Sequence, residues 1–323
     1  MSDITVTIDW VRHGFSCANI LQHTSMVTNI LRPFITQDAA LSDIGVRQAT
    51  ILNEKVLSSE LKDRYDIICC SHLRRAMETA LFAFNNPDKA QNLVVVPYIS
   101  EVRQGIARTL SLDRENQSLG IDELIKHWDE LKPQFNFNVD FSIINNQKFS
   151  DYDSEDYDKF IKAVLPEIIS KIDEKNKPSD GNYKIVIVSH NHFIRQHIEK
   201  NHNITDLKEL KNTEMWREKF NFVINDEKIG VIKEYINSDT CDNETCQIYP
   251  GKNPSCGEIS MDRCKKFQHT LYNKFVPDTI NIEKCELSEK QSQQSQQSQV
   301  GGSFYYHKYI KYKQKYLLLS KLY

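Results

Sequence analysis

The chain has 323 residues, of which 40% are hydrophobic and 26% are charged, and its formal net charge at pH 7 is −3. A chain of this length can bury the core of one domain of roughly 200 to 250 residues and still carry additional segments. The small negative charge argues against a general attraction to nucleic acid, and no apolar run approaches the ~20 residues needed to cross a bilayer.

The first predicted strand, Ile4 to Trp10, ends beside an arginine, a histidine and a glycine at positions 12–14. In an open α/β sheet, the last residues of a strand face the crevice in which ligands bind. Arg12 can hold phosphate oxygens through paired hydrogen bonds, and Gly14 lets the backbone approach a bound group closely. Because so short a triplet also occurs by chance, the interpretation as an anion site depends on the rest of the chain.

The next segments predict a helix and then a strand, which is followed by a pair of arginines. Ser42 is a natural N-cap for a helix whose apolar residues share one face. Residues 65–70 form an apolar run typical of a buried strand, and the segment from Ser71 leads from it into a helix. Arg74 and Arg75 therefore lie at a strand end, and spacing alone leaves open which of them binds a ligand and which makes a surface salt bridge.

Two further predicted strands lead to polar side chains. Residues 93–96 precede Glu101, which supplies a carboxylate shortly after the strand. Residues 106–150 have poor periodicity and predict a partly helical cap inserted over the sheet edge, a kind of insertion that shapes substrate pockets. The continuous apolar run 184–188 is typical of a parallel sheet covered on both faces, and it leads to His190.

The last third of the chain changes character after a predicted hairpin of residues 220–224 and 229–236, which sets a domain boundary at 236. Residues 237–290 are turn-rich and contain cysteines, and residues 291–303 are a Gln/Ser/Gly linker that we expect to lack structure. Residues 304–323 contain five lysines and no acid, with tyrosines along one helical stripe. We expect this tail to dock on a protein partner or on the chain itself; its lysines leave nucleic acid or an anionic membrane surface as alternatives.

The polar N-terminus lacks the apolar core of a secretory signal, so we expect a cytoplasmic protein with reduced cysteines and without structural disulfides. Five of the eight cysteines cluster in the last third of the chain: Cys241, Cys246, Cys256, Cys264 and Cys285. We interpret them as free thiols. A zinc site is the alternative, but the spacing is irregular and contains no C-x-x-C pair.

Four segments resemble motifs of the histidine phosphatase superfamily, in the branch of phosphoglycerate mutases and related phosphatases, and they occur in the same order along the chain. They are RHGFSCAN, LSDIGVRQA, SHLRRAMETA and VSHNHFIR, and they are similar to the family patterns R-H-G-x-S-x-x-N, L-[ST]-x-x-G-x-x-Q-A, S-x-L-x-R-A-x-[QE]-T-A and V-S-H-G-x-x-I-R. The resemblance covers residues 4–236. We therefore expect residues 1–236 to form a three-layer α/β/α sandwich with a mostly parallel central sheet, followed by a C-terminal extension.

The resemblance implies a phosphoric monoester hydrolase and gives each motif residue a role. His13 resembles the nucleophile that becomes a phosphohistidine, and Glu101 resembles the general acid and base. The residues that resemble the phosphate pocket are Arg12, Asn19, Arg75 and His190, and the last of these also belongs to the catalytic set. Attack requires an unprotonated nitrogen on His13, so its other nitrogen should donate a hydrogen bond, for example to a backbone carbonyl. Because two arginines neutralise the phosphate, we expect no metal and no cofactor.

Two departures from the family pattern affect the expected activity. Asn191 stands where the family has glycine, which changes how closely the backbone can approach phosphate. The segment after Glu101 does not resemble the Arg-His-Tyr-Gly run of the cofactor-dependent mutases, and this favours hydrolysis. The alternatives are phosphoglycerate mutase-type transfer and a catalytically inactive module that binds a phosphorylated partner.

We expect the substrate to be a phosphorylated small molecule or a phosphoprotein, which the sequence does not identify. The tail is similar to lysine- and tyrosine-rich extensions on proteins of giant DNA viruses. This resemblance implies a location in the host cytoplasm or the virion.

Overall fold

The computed structural model describes residues 2–24, 36–58, 65–101, 114–149, 154–172, 177–202, 207, 209–224, 232–238, 247–249, 251, 257–267, 272–273 and 276–282. The predicted linker 291–303 and tail 304–323 lie outside these residues. Within the described ranges, every helix is too short or too polar to traverse a lipid bilayer.

The fold is built on one sheet, which has eight strands among the described residues. They are β1 (Ser2–Arg12), β2 (Ile67–Ser71), β3 (Gln91–Val96), β4 (Phe137–Asp140), β5 (Asn182–Ser189), β6 (Met215–Ile224), β7 (Ile232–Ser238) and β8 (Gln247–Tyr249). Their order is β4-β3-β2-β5-β1-β6-β7, with β8 also paired to β6. Strands β1 to β5 pair in parallel, whereas β6 runs antiparallel to β1, β7 and β8.

Helices connect and cover these strands. The α-helices are α1 (Cys17–Thr24), α2 (Asp43–Ser58), α3 (Arg74–Phe84), α4 (Ile121–Leu131), α6 (Asn191–His202) and α7 (Asp262–Phe267), together with α5, in which Tyr157–Lys159 and Leu165–Ser170 are joined by the π-helical stretch Phe160–Val164. Short 3-10 helices comprise Arg114–Asn116, Lys132–Gln134 and Gln147–Phe149. A separate two-stranded sheet pairs β9 (Gly257–Ser260) with β10 (Thr279–Ile282).

The central strand β5 shows why the sheet is covered on both faces. Ile185 and Ile187 pack into one buried cluster together with residues of α5 and α6. Val186 and Val188 point the other way, into a cluster with residues of α2, α3 and α4. Side chains that alternate between two apolar layers explain the uninterrupted apolar run, and they confirm the predicted three-layer α/β/α arrangement with a mostly parallel sheet.

The strands predicted at 65–70, 93–96 and 184–188 are present as β2, β3 and β5. The predicted cap of Ser42 is also present, since its Oγ accepts a hydrogen bond from the Gly45 backbone N–H at 3.2 Å. The segment predicted as an inserted cap, 106–150, is described from residue 114 to 149. It contributes both a helix, α4, and an edge strand, β4, which extends the sheet beside β3.

The expectation that structural disulfides are absent is wrong. The structure joins Cys17 in α1 to Cys264 in α7, with their Cα atoms 5.5 Å apart. The compartment argument concerned average disulfide usage, whereas this bond follows from the packing of the described residues of 257–282 against α1, which no local pattern reveals. Cys69 and Cys70 are free and buried, as expected of small apolar side chains. The other cysteines of residues 237–290 lie outside the described residues.

Candidate active site

His13 and His190 meet because β1 and β5 are neighbouring parallel strands that end at the same edge of the sheet. Arg12 is paired with Ser189 in the register of the two strands. The His13 backbone N–H donates to the Ser189 carbonyl at 3.0 Å. The two imidazole rings lie 5.1 Å apart between centroids, and both side chains are buried.

The structure assigns different partners to the two nitrogens of His13. Nδ1 lies 2.7 Å from the carbonyl oxygen of Gly14, and Nε2 lies 3.3 Å from Nε of Arg75, which can only donate. Burial, reinforced by the charges of Arg75 and Arg12, lowers the pKa of His13 well below its usual value. The ring is therefore neutral, with its proton on Nδ1 and a lone pair on Nε2, as the expected backbone contact requires.

The backbone that follows His13 is held by side chains from the second and third sequence motifs. The Gly14 N–H donates to Oγ1 of Thr79 at 2.9 Å, and the Phe15 N–H donates to Oε1 of Gln48 at 2.9 Å. The hydroxyl of Ser42 donates to the Phe15 carbonyl at 2.6 Å. These motif residues therefore fix the loop after His13 and need not touch a ligand themselves.

The two motif glycines are required by the close approach of α2 to this loop. A Cβ at Gly14 would lie 2.8 Å from the Gly45 carbonyl oxygen. A Cβ at Gly45 would lie 2.3 Å from the Phe15 carbonyl oxygen. Both contacts are with backbone atoms that cannot turn aside, so any larger residue displaces the loop that carries His13.

The two arginines at the start of α3 point in different directions. Arg75 is 1% exposed and lies beside His13, where its Nη2 is also 3.6 Å from Oε2 of Glu101. Arg74 instead donates to the carbonyl oxygens of Asp38 and Phe267, at 2.7 and 2.9 Å. The structure therefore places Arg75 in the site and gives Arg74 a packing role.

Sequence reasoning missed two residues that support Arg75. Its Nη1 donates to the backbone carbonyl of Glu115 at 3.2 Å, and its Nη2 donates to Oδ1 of Asn116 at 2.6 Å. Both residues lie in a 3-10 helix of the segment predicted as a cap, where no periodicity marks them.

Arg12 is held from the opposite side by the loop before β6. Its Nη1 donates to the carbonyl of Leu210, and its Nη2 pairs with the exposed Glu209 at 3.3 Å. The Leu210 N–H in turn donates to Oδ1 of Asn191 at 2.9 Å. Asn191, the departure from the family's glycine, thus fixes the residue that holds Arg12.

Glu101 lies at the exposed side of the site, with 23% of its side chain accessible. Oε1 accepts a hydrogen bond from the His192 N–H, at the first turn of α6, at 3.3 Å. Burial raises the pKa of Glu101 above its usual value even though the charges of Arg75 and Arg12 act in the opposite direction. A carboxyl group that keeps its proton to higher pH is suited to donate it.

Asn19 has a local structural role. Its Oδ1 accepts hydrogen bonds from the backbone N–H and the hydroxyl of Ser16, both at 3.0 Å, while the Asn19 N–H donates to Oγ of Ser16 at 3.2 Å. This reciprocal pattern caps the N-terminus of α1. A direct contact between Asn19 and phosphate stays a prediction.

The site has unused hydrogen-bonding capacity suited to an oxyanion. Nε of Arg12 and Nδ1 of His190 are buried and have no hydrogen-bond partner among the described residues. His190 is turned by its other nitrogen, which lies 3.0 Å from Oγ of Ser71. Buried polar atoms require partners, and the oxygens of a phosphoryl group would supply them.

A metal ion is the alternative occupant. Candidate ligand atoms of His13, Glu101 and His190 lie within 4.8 Å of one another. Arg12 and Arg75 adjoin the same atoms with two fixed positive charges, however, so the electrostatic potential favours an anion over a cation.

Comparison with known proteins identifies a family and distant structural relatives. The model of the histidine phosphatase superfamily (branch 1) matches residues 10–217. No curated protein matches the chain.

Solved structures similar to this chain include phosphoglycerate mutase from Bacillus anthracis, with 18% identity over 73% of this chain and 92% of that one, at a TM-score of 0.39. Mycobacterial glucosyl-3-phosphoglycerate phosphatase shows 14% identity over 72% and 97%, at 0.38. Phosphoserine phosphatase from Entamoeba histolytica shows 18% identity over 72% and 98%, at 0.34. At these identities and scores the likenesses carry no argument about substrate.

Proposed function

The chain belongs to the histidine phosphatase superfamily, and on this premise we propose that it hydrolyses a phosphate monoester through a phosphohistidine on His13. The observation that carries the proposal is the neutral imidazole whose Nε2 lies beside Arg75, in a site where buried nitrogens of Arg12 and His190 have no hydrogen-bond partner among the described residues. A nucleophile and a set of fixed anion donors are what phosphoryl transfer requires.

In the first step, the lone pair on Nε2 of His13 attacks phosphorus, and the bond from phosphorus to the ester oxygen breaks. Glu101 transfers its proton to that oxygen, so the leaving group departs as a neutral alcohol. Arg12 and Arg75 remain charged throughout and hold the equatorial oxygens while charge spreads over them. Nε of Arg75, which donates to Nε2 in the free site, is then available to a phosphoryl oxygen.

In the second step, the Glu101 carboxylate accepts a proton from a water molecule as that water attacks phosphorus. The phosphorus–nitrogen bond breaks, inorganic phosphate leaves, and His13 regains its lone pair. Glu101 is protonated again, so the cycle closes without a further proton donor.

The test is hydrolysis of an aryl phosphate by the wild-type protein, by His13→Ala and by His197→Ala. His197 is a matched control, since it is a buried histidine on α6 that makes ring contacts with Tyr157 and Phe193. We expect loss of turnover and of an acid-labile phosphoenzyme only in His13→Ala, and no effect of a chelator on the wild type. Equal rates for wild type and His13→Ala would refute the proposal.

Phosphoglycerate mutase-type transfer is the second enzymatic candidate, and a catalytically inactive phosphate-binding module is the third. With 3-phosphoglycerate as substrate, a mutase forms the isomer and a phosphatase releases phosphate. An inactive module binds a phosphate ligand without turnover. We place hydrolysis first because the segment after Glu101 lacks the family's mutase pattern.

Two proposals rest on the sequence alone. A phosphorylated small molecule or a phosphoprotein is the proposed substrate, and the tail 304–323 is proposed to bind a protein partner in the cytoplasm, or in the virion if the protein is viral. Pull-down with the wild-type chain and with a chain lacking residues 304–323 tests the second proposal.

A further inference from the structure

The described residues of 257–282 form a unit, here called the C-terminal clamp, that lies outside the span matched by the family. It packs against the loop and helix that follow His13. Its buried side chains share one cluster with Phe15, Ile20 and Leu21 of that region, and they are Ile259, Met261, Cys264, Tyr272, Val276 and Ile280. The bond between Cys264 and Cys17 joins the same two regions covalently.

One charged residue of the clamp, Arg263, reaches the interior of the family domain. Its Nη2 donates to Oε2 of Glu78 at 2.6 Å, and its Nε donates to the carbonyl of Leu41 at 3.0 Å. Glu78 is fully buried, and its Oε2 also accepts the Leu41 N–H at 3.0 Å. Arg263 therefore binds the Leu41 carbonyl, Glu78 binds the Leu41 N–H, and the ion pair between the two side chains links these contacts.

Leu41 is directly connected to the nucleophile's loop. It forms an isolated backbone bridge with Ser16. The residue before it, Ala40, accepts the Cys17 N–H at 2.9 Å, and the residue after it, Ser42, donates to the Phe15 carbonyl at 2.6 Å. A displacement of Leu41 is therefore transmitted to residues two to four positions after His13.

We propose that Arg263 is a positioning residue for His13, acting from the C-terminal clamp through the Leu41 backbone. The inference rests on the proposed phosphatase activity for its readout, but its geometry is independent of the phosphate pocket. It makes the clamp part of the catalytic unit, although the family pattern ends before it.

The interaction is suited to this role because it is rigid. The planar guanidinium group donates one hydrogen bond to a carboxylate and another to a carbonyl, and the two bonds together fix its orientation. A lysine ammonium group cannot reproduce this geometry. His127 of α4 holds the other oxygen of Glu78 at 2.6 Å. The carboxylate is thus anchored from the third side, and Arg263 cannot pull it away from Leu41.

The experiment compares Arg263→Met with Arg217→Met, using the full chain and an aryl phosphate. Arg217 is a matched control, because it binds the buried carboxylate of Asp9 through two contacts of 2.6 and 2.7 Å, four residues before His13 in β1. Both substitutions leave a buried carboxylate without its arginine and should lower the Tm. We expect only Arg263→Met to lower kcat, by about tenfold, with KM changed by less than about twofold.

A second variant separates positioning from stability. Glu78→Gln/Arg263→Met removes the buried charge that has lost its arginine, so its Tm should return toward that of the wild type. The Leu41 carbonyl still lacks its donor, so kcat should stay low. Recovery of kcat together with Tm would overturn the proposal, as would an unchanged kcat in Arg263→Met. An inactive wild type would instead contradict the proposed function itself.

Discussion

Replacing Asn191 separates what the family pattern implies from what the structure implies. Glycine is the family's residue at this position, so Asn191→Gly restores the pattern and, on resemblance alone, should preserve or raise activity. In the structure, the Asn191 side chain accepts the Leu210 N–H, and the Leu210 carbonyl accepts Nη1 of Arg12. We therefore predict that both Asn191→Gly and Asn191→Ala lower kcat/KM.

The magnitude follows from one lost hydrogen bond. A side-chain hydrogen bond contributes about 0.5 to 1.5 kcal/mol net, which corresponds to a factor of roughly 2 to 13 if the whole of it is expressed in the position of Arg12. In the proposed mechanism Arg12 contacts phosphate in both the ground state and the transition state, so part of the loss should be seen as a higher KM.

The assay is initial-rate hydrolysis of an aryl phosphate over a range of substrate concentrations. Asn85→Ala is the control, since Oδ1 of Asn85 also accepts a backbone N–H, that of Asn136, at 3.0 Å, but at the edge formed by β4. The control should retain wild-type kinetics. If Asn191→Gly matches or exceeds the wild type, the inference that Asn191 supports Arg12 is wrong.

Two carboxylates, those of Glu101 and Glu78, lead to three further predictions. Glu101→Gln should lower kcat/KM for alkyl phosphates by about 10²- to 10⁴-fold but affect kcat/KM for nitrophenyl phosphate much less, because nitrophenolate leaves without protonation and kcat/KM does not include hydrolysis of the phosphohistidine. Equal losses of kcat/KM on both substrates would argue against a general acid. For the wild type, kcat/KM on alkyl phosphates should fall as pH rises through the raised pKa of Glu101, because the general acid must be protonated. The lowered pKa of His13 keeps its ring neutral over the same range. The pH profile of Glu101→Gln should lack this decrease. Although burial opposes it, contact with His127 and Arg263 lowers the pKa of Glu78 from 4.5 to about 2. A carboxyl group whose pKa is lower in the folded state than in the unfolded state stabilises the fold at pH values above the unfolded-state pKa. Roughly 3 kcal/mol of the free energy of unfolding should therefore be lost as pH falls from about 4.5 toward 2. Denaturant unfolding of Glu78→Gln should show a smaller acid-induced decrease in this free energy than the wild type.

The fold was predictable because its strands carry strong local signals. The run at 184–188 is apolar at every position, since both faces of β5 are covered, and Ser42 marks the start of α2 by its own hydrogen-bonding chemistry. Strands of one parallel sheet end at one edge, so the candidate residues Arg12, His13 and His190 could be expected to converge once their strands were recognised.

The supports of the site were not predictable in the same way. Asn116 holds Arg75 from a short 3-10 helix, and the carbonyl that holds Arg12 belongs to Leu210, whose side chain gives no sign of it. A backbone carbonyl is present at every position, and only the folded loop determines which one faces a guanidinium group. Contacts of this kind leave no spacing or periodicity to find.

The C-terminal clamp shows the same limit at longer range. Cys17 and Cys264 are separated by 247 residues, so their pairing depends on how two elements pack and not on either local sequence. The sequence predicts reduced cysteines only through the usual redox state of the cytoplasm, and Arg263, the residue before Cys264, belongs to no motif.

The four motifs that identify the family therefore contain two kinds of residue. His13, Arg75 and His190 face the site, whereas Gly45, Gln48 and Thr79 hold the backbone of Gly14 and Phe15. Because Arg263 reaches the same loop through Leu41, it belongs with the second kind although it lies outside every motif. A chain can thus keep the family's reacting groups and change the apparatus that orients them, so the motifs indicate the chemistry more directly than its rate.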